Sequence, residues 1–481
     1  MKIYDSVKRD IVEFAPIEDK RIVIYVCGLT PYDEAHIGHA RTYVSFDIMK
    51  RYFVKRGYRV FHIQNITDVE DKIINRCKET GADPKKLTEK NHAEALGLFD
   101  RLHITRADAY PKVSEHMDEI VALIKKLVDR GYAYGTETGV YFDVSKFKNY
   151  GKLSGQNMKE IRAGARVEVD ETKESPEDFA LWKKGEDIMA FDSPWGRGRP
   201  GWHIECSAMS MKYAKRETLD IHGGARDLIF PHHENEIAQS EAATGKPFSK
   251  YWMHTGFLTV HGEKMSKSLG NFITVKDALK RFSPNALRFF YIQSHYRSPV
   301  DYDEKAISSM EEGVDKIFNT LRGISESRTG NLRDDEFRKK ADAETKRFYE
   351  EMENDFDTPG AIAALFGLIR TVNSHLGKER TDSEALEGIK EKIEEILWIL
   401  GLEKEAVSLD GKKKEIAAVA AEFRIRAGPK PEETIAALAE LRETSRKKKD
   451  YAASDSIRKR LKDIGIVLED KKEGGTGWRI E

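Results

Sequence analysis

Cys27 lies at the end of the apolar run Ile22-Val-Ile-Tyr-Val26, and His36-Ile-Gly-His39 follows shortly after it. A thiol there can ligate a soft metal. Histidines where a helix starts can donate hydrogen bonds to phosphate oxygens, which tighten as a transition state gains charge. The free N–H groups of the same helix end favour an anion. Gly38 lets an adenine or ribose come close to the backbone. The plain alternative is a pair of capping or surface histidines.

A second cationic element is Gly262-Glu-Lys-Met-Ser-Lys-Ser-Leu-Gly-Asn271. Lys264 and Lys267, flanked by Gly262 and Gly270, suit a loop that closes on a leaving pyrophosphate. Solvated loop lysines are the ordinary reading of the same residues. A third set is Cys206, in Gly201-Trp-His-Ile-Glu-Cys206, with His232 and Glu236 in Phe230-Pro-His-His-Glu-Asn-Glu236. A His and a Glu four apart share one helix face. With Cys27 and Cys206 they make a sensible zinc set of two thiolates, an imidazole and a carboxylate. His233 and Glu234 compete for the same role on spacing alone. Cys77 falls in a helical pattern with no other ligand nearby and reads as structural.

The elements that must hold these residues alternate. Strand Ile22–Val26 precedes a helix from His39 to Arg56, and strand Val60–Ile66 precedes a helix from Val69 to Glu79. That β-α-β-α order predicts a parallel sheet with right-handed crossovers. Residues 119–197 read as an insertion of short strands, among them Gly139–Asp143 and Ala165–Val169. The α/β pattern returns at Gly201. From Asp303 onward, 307–325, 343–377 and 383–401 have helical periodicity, a bundle. Helices Glu432–Asp450 and Ala452–Ile464 then precede a hairpin of Gly465–Leu468 with Thr476–Ile480.

The chain has 481 residues, 34% of them charged, and a net charge of −1. This excludes a globally basic nucleic-acid binder and leaves room for a local basic patch. No apolar run is long enough for a membrane span. Met1-Lys-Ile-Tyr-Asp has no secretory signal character. Three cysteines make a disulfide framework unexpected. Together these predict a cytoplasmic enzyme with reduced thiols.

His-Ile-Gly-His followed much later by Lys-Met-Ser-Lys-Ser resembles the class I aminoacyl-tRNA synthetases. The whole chain resembles the cysteinyl-tRNA synthetase family. The residues that carry this include Tyr25-Val-Cys-Gly28, Asn65-Ile-Thr-Asp-Val69, Tyr150-Gly-Lys-Leu-Ser-Gly155 and Arg162-Ala-Gly-Ala-Arg-Val-Glu168. More specific still are Gly198-Arg-Pro-Gly-Trp-His-Ile-Glu-Cys-Ser-Ala-Met209 and Asp227-Leu-Ile-Phe-Pro-His-His-Glu-Asn-Glu236. Pro31 departs from many family members and only stiffens its turn.

The resemblance implies an α/β fold. A Rossmann-like parallel-sheet catalytic domain (1–118 and 198–250) would hold a connective-peptide insertion (119–197). The lysine loop and stem-contact region (251–305), a tRNA-binding α-helical bundle (306–408) and a small mixed α/β anticodon-binding domain (409–481) would follow. It implies ATP-dependent activation of L-cysteine and transfer to tRNA(Cys), with Mg²⁺ accompanying ATP. It puts the zinc ligands on Cys27, Cys206, His232 and Glu236, and an ATP contact on Lys267. Asp227 would contact the ribose, and Trp202, His222 and His233 the amino-acid pocket. Arg446, Lys447, Lys448 and Lys449 would meet tRNA phosphates, with Trp478 stacking on a base, although the run also reads as a solvated helix face and Trp478 as hairpin core. A monomer is implied.

Zinc has a physical reason to be there. Cysteine and serine differ by one atom. Rejection by about 10⁴ needs roughly 5.5 kcal/mol, and packing yields only about 1–3 kcal/mol. A soft cation prefers sulfur, so no separate editing domain is expected. Glu236, the weaker ligand, would ease a fifth coordination. The nearest rival is the mycothiol-pathway cysteine ligase, which shares the core and lacks the tail. A non-catalytic tRNA-binding paralogue and a zinc hydrolase are more distant.

Overall fold

Ile22 to Val26 are all buried, as a strand covered on both faces must be. They form β1 (Arg21–Val26), the centre of a four-stranded sheet in the computed structural model. Its partners are β2 (Arg59–Gln64), β3 (Leu219–Ala225) and β4 (Ser249–Thr255). The order is β4-β3-β1-β2, and every pairing is parallel. The structure describes residues 1–156, 172–265, 270–327, 332–404, 409–470 and 476–480.

Strand β1 leads through helix α1 (Ile37–Lys55) to β2 on one side. The chain then returns to place β3 on the other side of β1. Crossovers therefore leave the β1/β3 pair in opposite directions. This is a topological switch point, where open α/β sheets keep a ligand crevice beyond their strand ends. Gly28 crosses the crevice pressed against Asn65: a Cβ there would lie 1.6 Å from the Asn65 carbonyl oxygen. Asn65 Oδ1 also accepts from the Gly28 N–H at 2.8 Å.

Helix α2 (Trp202–Ala214) and helix α3 (Glu234–Thr244) carry the later site residues. A wide turn, Ile229–His233, leads into α3. The insertion is an antiparallel sheet of Ala133–Gly135, Gly139–Phe142, Phe179–Lys184 and Gly198–Pro200 over helix Met117–Asp129. Its core includes Ile124, Phe142 and Trp182. The expected strand Ala165–Val169 lies outside the described residues.

The bundle follows as α4 (Glu304–Glu326), α5 (Asp335–Glu353), α6 (Thr358–Leu376) and α7 (Ser383–Leu400). The helical pattern read over 343–377 is two helices. Pro359 cannot continue a helix from before it. Asp355 and Phe356 turn the chain with positive φ, and Asp357 caps Gly360 N.

The chain divides into two compact units, Met1–Glu403 and Lys404–Glu481. The second has its own core of Ile416, Ile435, Leu438, Ile457 and Leu461. It contains helix Lys413–Glu422, α8 (Pro431–Lys447), α9 (Tyr451–Asp463) and the antiparallel hairpin Ile466–Asp470 with Thr476–Ile480. Helix Lys413–Glu422 is an addition to the sequence reading. Among the described residues no helix is long and apolar enough to cross a membrane.

Candidate active site and metal centre

Four elements end at the crevice. Cys27 follows β1 and hydrogen-bonds through its N–H to Gly223 O of β3 at 3.0 Å. Cys206 sits on α2, His232 in the turn before α3, and Glu236 in the first turn of α3. One ligand atom from each lies within 4.8 Å of all the others, and all four residues are buried. Cys206 Sγ is 3.6 Å from His232 Nε2, which is 2.9 Å from Glu236 Oε1, itself 3.8 Å from Cys27 Sγ. Metal–ligand bonds of about 2.0–2.3 Å put tetrahedral neighbours roughly 3.3–3.8 Å apart; the two thiol separations match this, and the 2.9 Å His232–Glu236 hydrogen bond would open by about half an ångström as a zinc ion replaced its proton.

His233 also approaches this group. Its Nε2 lies 3.2 Å from Cys27 Sγ. Cys27, His222, His233 and Glu236 form a second set within the same 4.8 Å limit. The two sets share Cys27 and Glu236. The first contains both thiols, the softer combination and the better match to zinc. Side chains on either side of the turn thus reach the same place, which a regular helix would prevent.

The electrostatics match a cation site. Burial pushes the Cys27 thiol well up, and Cys206 and Glu236 add to this. The hydrogen bond with Cys27 brings Cys206 down to about 6 against burial. Burial opposes charge on His232 as well, but the Glu236 carboxylate and Cys206 raise it to about 10. Glu236 is driven to about 2 by His222 and His232, overcoming burial. Protons held on Cys27 and His232 are those a divalent cation displaces.

Two supporting imidazoles escaped the sequence reading. His203 Nδ1 is 3.0 Å from His232 Nδ1. His254 Nε2 is 2.8 Å from His233 Nδ1. Such outer contacts fix ring orientation in metal sites. His203 lies one helical turn before Cys206 on α2, a spacing that could have revealed it. His254 arrives from β4 without any local signal. His222, expected in the amino-acid pocket, is fully buried behind Glu236, with its Nε2 2.7 Å from Oε2 and its ring stacked on Trp252. Trp202 is 40% exposed and stacks on His232 with ring centroids 4.2 Å apart.

His36 caps α1. Its Nδ1 accepts from the N–H groups of Gly38 at 3.1 Å and His39 at 3.3 Å. Burial lowers His36 to about 4, with Asp227 pulling the other way, and takes His39 well below its ordinary value. A neutral His36 whose Nδ1 accepts must carry its proton on Nε2. The rings of His36 and His39 stack at 3.6 Å.

The segments of the two motifs meet here. Phe272 packs edge-on against His36, and Ile37 donates to Ile273 O at 3.2 Å. A Cβ on Gly38 would lie 3.5 Å from Met265 Cε. Lys264 is 73% exposed, with Nζ 3.7 Å from Asp227. Lys267 lies outside the described residues. In the second unit, Arg446, Lys447, Lys448 and Lys449 are exposed around the end of α8, while Trp478 is half-buried against the unit's core.

Known proteins resemble this chain along its length. Residues 13–312 match the family model described as the tRNA synthetases class I (C) catalytic domain, and 347–404 match the DALR domain. Cysteine–tRNA ligase of Thermococcus gammatolerans is 45% identical over 100% of this chain and 99% of its own length. The Carboxydothermus hydrogenoformans enzyme of that name is 44% identical, with 100% of both chains covered. Mycobacterium tuberculosis methionyl-tRNA synthetase, solved with methionyl-adenylate, shares the fold with a TM-score of 0.59 at 15% identity, over 87% of this chain and 94% of that one. With a class I catalytic domain spanning most of its first unit and near-half identity end to end, the chain belongs to the cysteine–tRNA ligase family.

Proposed function

We propose that this protein activates L-cysteine with ATP as cysteinyl-adenylate and transfers it to the 3′ end of tRNA(Cys). The observation that carries the reading is the buried two-thiol, imidazole and carboxylate group at the β1/β3 switch point, next to the His36–His39 turn.

The cysteine carboxylate attacks the α-phosphorus of Mg²⁺-bound ATP in line, and pyrophosphate leaves. Nε2–H of His36 donates to the phosphates, with His39 stacked beside it. Nδ1 of each ring accepts a backbone N–H, so each neutral imidazole carries its proton on Nε2 and donates from there. Lys264 and Lys267 neutralise the leaving group as their loop closes, and Asp227 receives the ribose hydroxyls. No side chain forms a covalent bond, so positioning and electrostatics carry the rate. Cys27, Cys206, His232 and Glu236 would hold zinc, which supplies a soft Lewis acid that prefers a thiolate to a hydroxyl. The terminal tRNA hydroxyl then attacks the adenylate carbonyl and AMP leaves. The DALR match supports tRNA binding by the bundle. The exposed Arg446–Lys449 run is suited to phosphates, whereas the packing of Trp478 favours its role as hairpin core.

The test is pyrophosphate exchange driven by cysteine or serine, with and without a chelator, followed by tRNA charging. Cysteine should drive exchange, serine should not, and chelation should abolish the difference. Exchange with cysteine that survives complete metal removal would sink the zinc assignment.

A further inference from the structure

A cavity of about 420 Å³ lies at the β4 edge of the sheet and has no part in the chemistry above. Arg9, Arg226 and Arg297 line it together with Ser6, Ser154 and His254, and none of its lining residues is acidic. Arg297 is committed elsewhere, bonded to Asp355 at 2.7 Å and lying over the Tyr4 ring. Arg9 and Arg226 make no ion pair among the described residues. Arg9 has a seat made for it: its guanidinium lies over Gly155, where a Cβ would come within 1.9 Å of Nη2. Arg9 and Arg226 are both exposed, face one concave, acid-free surface and are open to an anion, and their planar forks match phosphate oxygens.

The position narrows the choice. His254 links the cavity to the metal group, with Nδ1 2.8 Å from Ser6 Oγ and Nε2 2.8 Å from His233, which touches Cys27. Arg226 immediately precedes Asp227, the proposed ribose contact. The residues assigned to the ATP phosphates, His36, His39 and Lys264, line no part of the cavity. The 3′ end of tRNA has to come near the metal group for its terminal hydroxyl to attack the adenylate, and it brings backbone phosphates with it.

We propose that the cavity takes a backbone phosphate of the single-stranded 3′ end of tRNA. This rests on the tRNA-charging reading. The test uses the full chain as Arg9→Ala and Arg226→Ala. KM for tRNA(Cys) in charging should rise roughly tenfold in each, the effect of losing one charge-assisted hydrogen bond. The slope of log affinity against log salt should become shallower by about 0.7 per contact. Cysteine-dependent pyrophosphate exchange should stay unchanged, which also shows that the variants fold. A tRNA lacking its 3′-terminal nucleotides should bind wild type and variants alike.

Unchanged KM overturns the inference. So does an equal loss with the truncated tRNA. Loss of pyrophosphate exchange, or inhibition of wild type alone by added inorganic phosphate or pyrophosphate, would identify a free or nucleotide anion instead. A wild-type chain that exchanges pyrophosphate but charges no tRNA defeats the parent reading and this one with it. A wild type that charges while the variants match it defeats only this one.

Discussion

Replacing His222 by Phe should loosen the metal without breaking the fold. The imidazole donates from Nε2 to Glu236 Oε2 at 2.7 Å, and the ring stacks on Trp252 at 4.4 Å. Phe keeps an aromatic ring in that stack and deletes the donor. It also removes Nδ1, a buried nitrogen with no hydrogen-bond partner, so the fold loses little. The deleted hydrogen bond is to a carboxylate, worth about 1.5–3 kcal/mol. Loss of an outer partner of a metal ligand costs roughly 10–100-fold in affinity, about 1.4–2.8 kcal/mol. The two estimates overlap. Zinc transfer to a chromophoric chelator reads the effect directly. The dissociation constant should rise by one to two decades, KM for cysteine should follow, and KM for ATP should stay put. His222→Asn, which can still donate to the carboxylate, should recover part of the loss. Wild-type zinc retention in His222→Phe, or equal losses for cysteine and ATP, would refute the reasoning.

Glu236→Ala, which removes the ligand itself, should weaken cysteine more than ATP in pyrophosphate exchange; equal weakening counts against its role. Gly28→Ala drives a methyl into the Asn65 carbonyl. The backbone must shift by about an ångström, a displacement that costs on the order of a hundredfold in exchange rate, so a near-normal rate would show that the turn gives way harmlessly. Asp47 is buried between Arg51 and Arg288. Asp47→Ala should cost roughly 3–5 kcal/mol by stranding two buried guanidiniums, and an unmoved urea midpoint would contradict this. His36 is lowered to about 4 by burial, from an ordinary 6.5. Between those values the folded chain binds fewer protons than the unfolded one, so its contribution to stability is complete above 6.5 and lost as pH falls through 4. An NMR titration midpoint near 6.5 would refute it.

Deleting residues 404–481 should spare pyrophosphate exchange and damage charging. Both compact units have their own cores, so the first should fold alone. A truncated chain that charges tRNA normally would remove the second unit from tRNA recognition.

What was legible in the sequence was whatever local spacing encodes. The apolar run before Cys27, the capping position of His36 and the His232/Glu236 separation are all short-range patterns, and the elements around them follow from periodicity. The break at Asn354–Asp357 was equally local, announced by Pro359, yet helical periodicity on both sides masked it. His203 was within reach, one turn from Cys206. His222 and His254 were not, in the roles they have here. Their contacts exist because β3 is laid beside β1, and β4 beyond β3, on the side of β1 away from β2. The same holds for Arg9 over Gly155, a meeting of two distant loops.

That distinction bears on how the proposed site would select cysteine. The end of β1 supplies one candidate ligand, α2 another, and the turn and first turn of α3 the other two, so no short segment can assemble the set. Only the completed switch point brings the two thiols, His232 and Glu236 within reach of one ion. The crevice that gathers them opens at the same strand ends where α1 begins with His36. Because Gly28 packs on Asn65 and Cys27 N–H is tied to Gly223, the thiol cannot move without disturbing β1, β2 and β3 together. In the proposed reading, discrimination of sulfur from oxygen would therefore draw on the packing of the parallel sheet, while the exposed Lys264, paired with Asp227, stands on a separate element. A buried selector and an exposed cation on separate elements would let substrate choice and leaving-group stabilisation be altered separately.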